Sequence, residues 1–162
     1  MGARGHAGLR FVHVNLVARD WRRLARFYQE VFGCIPVPPE RDYRGSALEA
    51  GTAVAGASLR GIHLRLPGDG SPTLEIFQYE PGIHHPAGPV NRTGFGHIAF
   101  ATDDVPRMRQ TVVEHGGSVV GDVVTLETSD GRRVTWTYVR DPEGNILELQ
   151  SWTDADGSPS EP

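Results

Sequence analysis

The spacing of apolar positions divides the chain into segments whose period switches between two and the helical three to four. From Phe11 to Val17 the alternation predicts a strand with Phe11, His13, Asn15 and Val17 on one face and Val12, Val14 and Leu16 on the other. The period then changes. Trp21, Leu24, Phe27, Tyr28, Val31 and Phe32 recur at helical spacing behind Asp20, a good N-cap, and Gly33 suits the left-handed residue that ends a helix. Prolines at 36, 38 and 39 forbid helix from Ile35 to Arg44, so that stretch reads as a connection. The Gly/Ala-rich SALEAGTAVAGASL behind it is expected to supply part of an edge strand. A strand over Arg60–Leu66, a PGDGSP hairpin turn and a returning strand over Thr73–Tyr79 follow, with Glu75 inside the last.

After a turn-rich linker the pattern starts again. Phe95–Ala101 reads as a strand, Asp103 or Asp104 caps a helix carrying Val105, Met108, Val112 and His115, and Gly116-Gly117 ends it. The second copy lies 84 positions after the first without a gap, matching Phe11 with Phe95, His13 with His97, Asp20 with Asp104 and Gly33 with Gly117. This is a duplicated supersecondary unit. Strands are expected over Ser118–Val124 and Arg132–Val139, and the turn Asp141–Asn145 leads into Ile146–Trp152. If Arg140 pairs with Ile146, Tyr138 lies opposite Glu148 on one face, while Leu147 and Leu149 face the helix layer. The expected organisation is a first module over 10–80, a linker over 81–93, a second module over 94–152, and mobile polar tails at 1–9 and 153–162.

Charge and composition narrow the function classes. A formal net charge of −4, with scattered arginines, argues against nucleic-acid binding. A single cysteine, Cys34, excludes an intramolecular disulfide and fits a reducing cytoplasm. No stretch of apolar residues is long enough for a secretory signal or a membrane span, so a cytoplasmic protein without membrane partners is expected. There is no Gly-x-Ser-x-Gly elbow, phosphate-binding loop or CxxC pair, and Cys34 reads as a packed side chain.

The chemistry concentrates in one polar residue type per strand. Each module offers a His in its first strand and a Glu in its last, His13 with Glu75 and His97 with Glu148, all on the face opposite the aliphatic one. Two such modules closing on each other would aim four side chains into one cleft. Imidazole and carboxylate donors suit a borderline divalent ion, and four protein ligands leave two positions open on an octahedral one. His84 and His85 lie in the linker, His115 ends a helix and His63 shows no repeat partner, so these four are read as structural or surface groups. Two free positions could chelate neighbouring oxygens of a small carbonyl substrate, with Glu148, or else Glu75, moving the proton beside the carbonyl. Tyr138 and Trp136 would wall the substrate pocket.

These residues resemble the vicinal oxygen chelate superfamily, which holds glyoxalase I, methylmalonyl-CoA epimerase, extradiol dioxygenases and fosfomycin and bleomycin resistance proteins. The likeness rests on HVNLVARDWRRLARFYQEVFG, LRGIHLRLPGDGSPTLEIFQY, GHIAFATDDVPRMRQTVVEHGG and YVRDPEGNILELQ, and covers about Phe11 to Trp152. It implies an α+β fold of two βαβββ modules forming a curved, partly open barrel, and a homodimer. It also implies one divalent metal ion per site (Zn, Ni, Co, Mn or Fe) held by His13, Glu75, His97 and Glu148. Glu75 points to the glyoxalase I branch, and the LPGDG…LEIFQY wording to the epimerase branch. The expected activity is a metal-dependent isomerase or lyase. The alternatives are an Fe(II) extradiol-type dioxygenase, which the fourth ligand disfavours, and a natural-product binding or resistance protein without catalysis.

Overall fold

The computed structural model describes residues 10–68 and 72–160. The expected mobile segment 1–9, the tip of the hairpin turn at 69–71 and residues 161–162 lie outside the described residues. The chain divides into two compact units, one built from residues up to 25 together with 32–82, the other from 26–31 together with 83 onward.

In chain order the first unit holds β1 (His13–Val17), the two ends of helix α1 (Trp21–Phe32), β2 (Ile35–Arg44), helix α2 (Ser46–Thr52), β3 (Ser58–Arg65) and β4 (Thr73–Glu80). Its sheet runs β1-β4-β3-β2, with β1 parallel to β4 and the other pairs antiparallel. Leu16, Leu64, Leu74 and Ile76 are buried and share one face of it. Two expectations are corrected here. The proline-rich 35–44 segment is a strand, because it lies at the sheet edge and bulges between Val37 and Arg41, where missing amide donors are tolerated. The expected edge strand in the Gly/Ala-rich segment is instead α2, whose Ala, Leu and Glu content favours helix and which ends at Ala53 in the left-handed region (φ 56).

The second unit carries β5 (Ile98–Ala101), helix α3 (Val105–Glu114), β6 (Ser118–Val119), β7 (Val124–Glu127), β8 (Arg133–Arg140), β9 (Ile146–Thr153) and β10 (Pro159–Ser160). The sheet runs β10-β9-β8-β6, with β5 parallel to β9 and β7 paired to β8. Helix α3 packs on β8 and β9, burying Val105 and Val112 on the face that presents Val139, Leu147 and Leu149. The single strand expected over 118–124 is two short ones, because the amides of Val120 and Gly121 both turn to the carbonyl of Tyr138. Beyond Trp152, where a loose tail was expected, the chain turns at 154–157 and β10 pairs back on Trp152 and Thr153.

The architecture is therefore α+β, with two sheets of like topology: a first strand parallel to the last, a helix between, and an antiparallel remainder. The helix starts repeat atom for atom. Asp20 accepts the amide of Arg23 on its carboxylate (3.0 Å) and that of Leu24 on its carbonyl (3.1 Å). Asp104, 84 residues on, accepts from Arg107 (2.9 Å) and Met108 (3.0 Å) in the same way.

Candidate functional site

Strand register places the site residues, and it does so identically in both units. In the first, Asn15 of β1 lies beside Glu75 of β4; in the second, Ala99 of β5 lies beside Glu148 of β9. Each histidine thus stands two positions ahead of the residue flanking its glutamate. His13 heads β1, whereas His97 just precedes β5, which starts at Ile98, three residues after the expected Phe95. On the antiparallel side His63 of β3 is opposite Glu75, and Tyr138 of β8 is opposite Glu148 as the sequence predicted. His63 is therefore the positional counterpart of Tyr138. The signal is the hairpin itself: pairing β3 with β4 about their turn sets His63 opposite Glu75, as pairing β8 with β9 sets Tyr138 opposite Glu148.

In the first unit Glu75 is the hub. His13 Nε2 lies 3.5 Å from Oε2, His63 Nε2 lies 2.9 Å from Oε1, and Asn15 Nδ2 donates to Oε2 at 2.9 Å. The glutamate is largely shielded, with 13% of its side chain exposed, between the buried Leu74 and Ile76. The other nitrogen of His63 lies 3.4 Å from the Thr73 hydroxyl, and its ring meets His13 and Phe77 edge-on with centroids 5.9 Å away in both cases. Gly61 makes room for this stack, because a Cβ there would lie 2.5 Å from the Phe77 ring and 2.0 Å from the Ile76 carbonyl. Burial lowers the pKa of His63, with Arg41 and His13 adding to that effect and Glu75 opposing it. The ring is held neutral.

In the second unit His97 Nε2 lies 2.9 Å from Glu148 Oε2. Among the described residues no other side chain is hydrogen-bonded or ion-paired to Glu148. The Tyr138 ring packs on His97 at 5.1 Å and Trp136 meets Tyr138 edge-on at 4.9 Å, so the two aromatics share the glutamate's face as expected. Burial, with the nearby Glu148 charge, raises the Tyr138 pKa. The phenol stays protonated.

The β8–β9 register behind this pair is set by the turn between them. Asp141, only 3% exposed, accepts the amides of Glu143 (2.9 Å) and Asn145 (3.0 Å), the Asn145 side chain (2.8 Å) and the Tyr28 hydroxyl (3.0 Å). Burial pushes this carboxyl up, and the four donors pull it back. Arg140 ties the same turn to the linker, donating to the carbonyls of Gly144 (2.9 Å) and Gly88 (2.7 Å).

A metal fit can be tested on each pair. Neighbouring ligands on an octahedral ion, each about 2.1 Å from it, sit about 3 Å apart, and the His–Glu separations of 3.5 and 2.9 Å match that edge. Among the described residues no group of three or more His, Cys, Asp or Glu side chains is drawn together so as to hold an ion. Cys34 is buried, and burial raises its pKa to about 11. Among the described residues no helix is long and apolar enough to cross a membrane.

Comparison with known proteins gives one answer about kinship. The profile of the Glyoxalase/Bleomycin resistance protein/Dioxygenase superfamily matches residues 10–149. A putative lactoylglutathione lyase of Brassica oleracea var. gemmifera and a lactoylglutathione lyase of Arabidopsis thaliana are each 27% identical over 144 residues. That match takes in 86% of this chain but 43% of the relatives, so the chain spans under half their length. A glyoxalase family protein from Bacillus cereus superposes with a TM-score of 0.74 at 22% identity, covering 93% of this chain and 97% of that one. A glyoxalase I variant from Zea mays gives 0.58 at 22% identity, over 87% of this chain and 44% of that one. These structural likenesses concern the fold.

Proposed function

The chain belongs to the Glyoxalase/Bleomycin resistance protein/Dioxygenase superfamily, and on that premise we propose that it is a divalent-metal-dependent lyase or isomerase acting on a small carbonyl compound. The observation that carries this reading is the pair of His–Glu contacts, His13 with Glu75 and His97 with Glu148, repeated at equivalent register positions with donor atoms spaced as neighbouring ligands. Together they would supply four donors to one ion. The likeness to lactoylglutathione lyases supports the reaction class.

When bound, a divalent ion would polarise the substrate carbonyl and offset the negative charge that develops on two neighbouring oxygens. The chain's own residues do the rest. Glu148 takes the proton from the carbon beside the carbonyl and returns it, since its single side-chain partner among the described residues leaves it able to turn toward substrate. Glu75 remains a ligand. Trp136 and Tyr138 form the wall next to Glu148 and keep water from the transferred proton, and the Tyr138 phenol is a hydrogen-bond donor for a substrate oxygen. A homodimer is part of the same proposal, because β2 and β7 each leave an outer sheet edge that a second copy could cover. Light scattering at micromolar concentration tests it, and a monomeric mass would remove it.

The reaction class is tested in heavy water with metal-loaded protein and a panel of hemithioacetals of small thiols and 2-methyl acyl thioesters. The expected result is deuterium at the carbon beside the carbonyl, without oxygen consumption. Oxygen uptake with a catechol would make the protein a dioxygenase, and ligand binding with neither event would make it a sequestering protein. Exchange that survives Glu148→Ala combined with Glu75→Ala would overturn the mechanism.

A further inference from the structure

The two glutamates occupy equivalent places but are not held equivalently. Beside Glu75 stands Asn15, and opposite it His63; beside Glu148 stands Ala99, and opposite it Tyr138. Both first-unit neighbours are donors, and each takes a different oxygen: Asn15 Nδ2 to Oε2 at 2.9 Å and His63 Nε2 to Oε1 at 2.9 Å. Neither second-unit neighbour bonds to Glu148. Ala99 has no polar side-chain atom, and Tyr138 packs its ring on His97 instead.

From this asymmetry we infer that Asn15 and His63 are positioning residues, which clamp the carboxylate of Glu75 in one rotamer so that it stays a fixed ligand beside His13. The inference rests on the metal-dependent reading above. A carboxylate bonded on both oxygens cannot rotate without breaking two charge-assisted hydrogen bonds. Each oxygen accepts one of these donors and keeps a second lone pair, and Oε2 is the oxygen that faces His13 Nε2, at 3.5 Å. The His63 ring is itself fixed, by Phe77 on one side and the Thr73 hydroxyl on the other. Partners of this kind orient metal ligands, and their loss typically weakens metal binding by about 10- to 100-fold. The unclamped Glu148 is thereby left as the carboxylate that can move.

Cobalt(II) titration followed by d–d absorption tests the clamp without any substrate. Asn15→Ala is expected to weaken Co²⁺ binding by about 10- to 100-fold, with Asn15→Asp weaker still, because it sets a second carboxylate against Glu75. His63→Phe should fall in the same range and His63→Gln, which restores a donor, should recover most of the loss. Asn15 is exposed, so its variants keep the test valid if His63→Phe fails to fold. Exposed His84 in the linker is the control, and His84→Ala should bind cobalt as the parent does. If the parent binds cobalt and the Asn15 and His63 variants bind it equally well, the clamp is wrong while the metal-dependent reading stands. A His63→Phe loss well beyond that range would make His63 a ligand and also overturn the inference. A parent chain that takes up no cobalt would sink both readings together.

Discussion

The first unit and the second are two versions of one design, and they differ in the side chains set around their glutamates. Shared between them are the Asp caps at 20 and 104, the parallel pairing of first and last strand, and a His–Glu contact on the polar face. What differs is the lining of that contact: donors, Asn15 and His63, around Glu75, and a small or aromatic residue, Ala99 and Tyr138, around Glu148. Duplication preserved the backbone geometry that aims both glutamates. Divergence of two neighbours per site left Glu75 bonded on both oxygens and Glu148 paired, among the described residues, with His97 alone.

The sharpest way to break this comparison is to remove each glutamate in turn. Glu148→Ala should lower proton exchange by about 10²- to 10⁴-fold, the usual contribution of a positioned base, and leave part of the cobalt affinity. Glu75→Gln keeps an oxygen that can ligate, so it should retain some metal and lose only part of the activity. Steady-state exchange rates at saturating metal read both, and equal losses would end the division of labour.

A second perturbation acts through the turn behind Glu148. Asp141→Ala removes the carboxylate that accepts from the buried Tyr28 hydroxyl and from the amides of Glu143 and Asn145. Loss of a buried hydrogen-bond acceptor costs about 1 to 3 kcal/mol, so Tm should drop by several degrees in calorimetry. An unchanged Tm would show that the turn does not hold the β8–β9 register. Smaller, but more pointed, is Ala99→Asn, which builds the first unit's clamp into the second at an exposed position. One charge-assisted hydrogen bond of about 1.5 kcal/mol is worth roughly tenfold, so exchange should slow by about that factor while cobalt affinity holds or rises.

The smallest effect concerns the residue after each helix-ending glycine, buried Cys34 in one repeat and exposed Ser118 in the other. Burial raises the Cys34 thiol to about 11, so folding favours its protonated form. The associated stability is present below the ordinary thiol range and is lost as pH rises from there toward 11. Native chain should therefore be unreactive to a thiol reagent at pH 8, and denatured chain should react at once.

Much of this was readable in the chain itself, for identifiable reasons. The repeat, both caps and the pairing of Tyr138 with Glu148 follow from periodicity and a short turn, which are local signals. Strand β2 was not readable, because proline argues against strand until one knows that the segment lies at an edge. Helix α2 is not legible in the sequence because Gly and Ala carry no face preference. His63 has a tyrosine for its counterpart: the duplication kept the position and changed the residue, and only strand register reveals the match.

The central proposal is that the two His–Glu pairs would serve one ion. Metal content per chain, measured after supplementation and dialysis for the parent, His13→Ala and His97→Ala, tests it most directly. A shared site predicts that either single substitution removes nearly all bound metal, since each takes one ligand from the same sphere. Two independent half-sites would leave about half the metal in each variant, and that result would contradict the account.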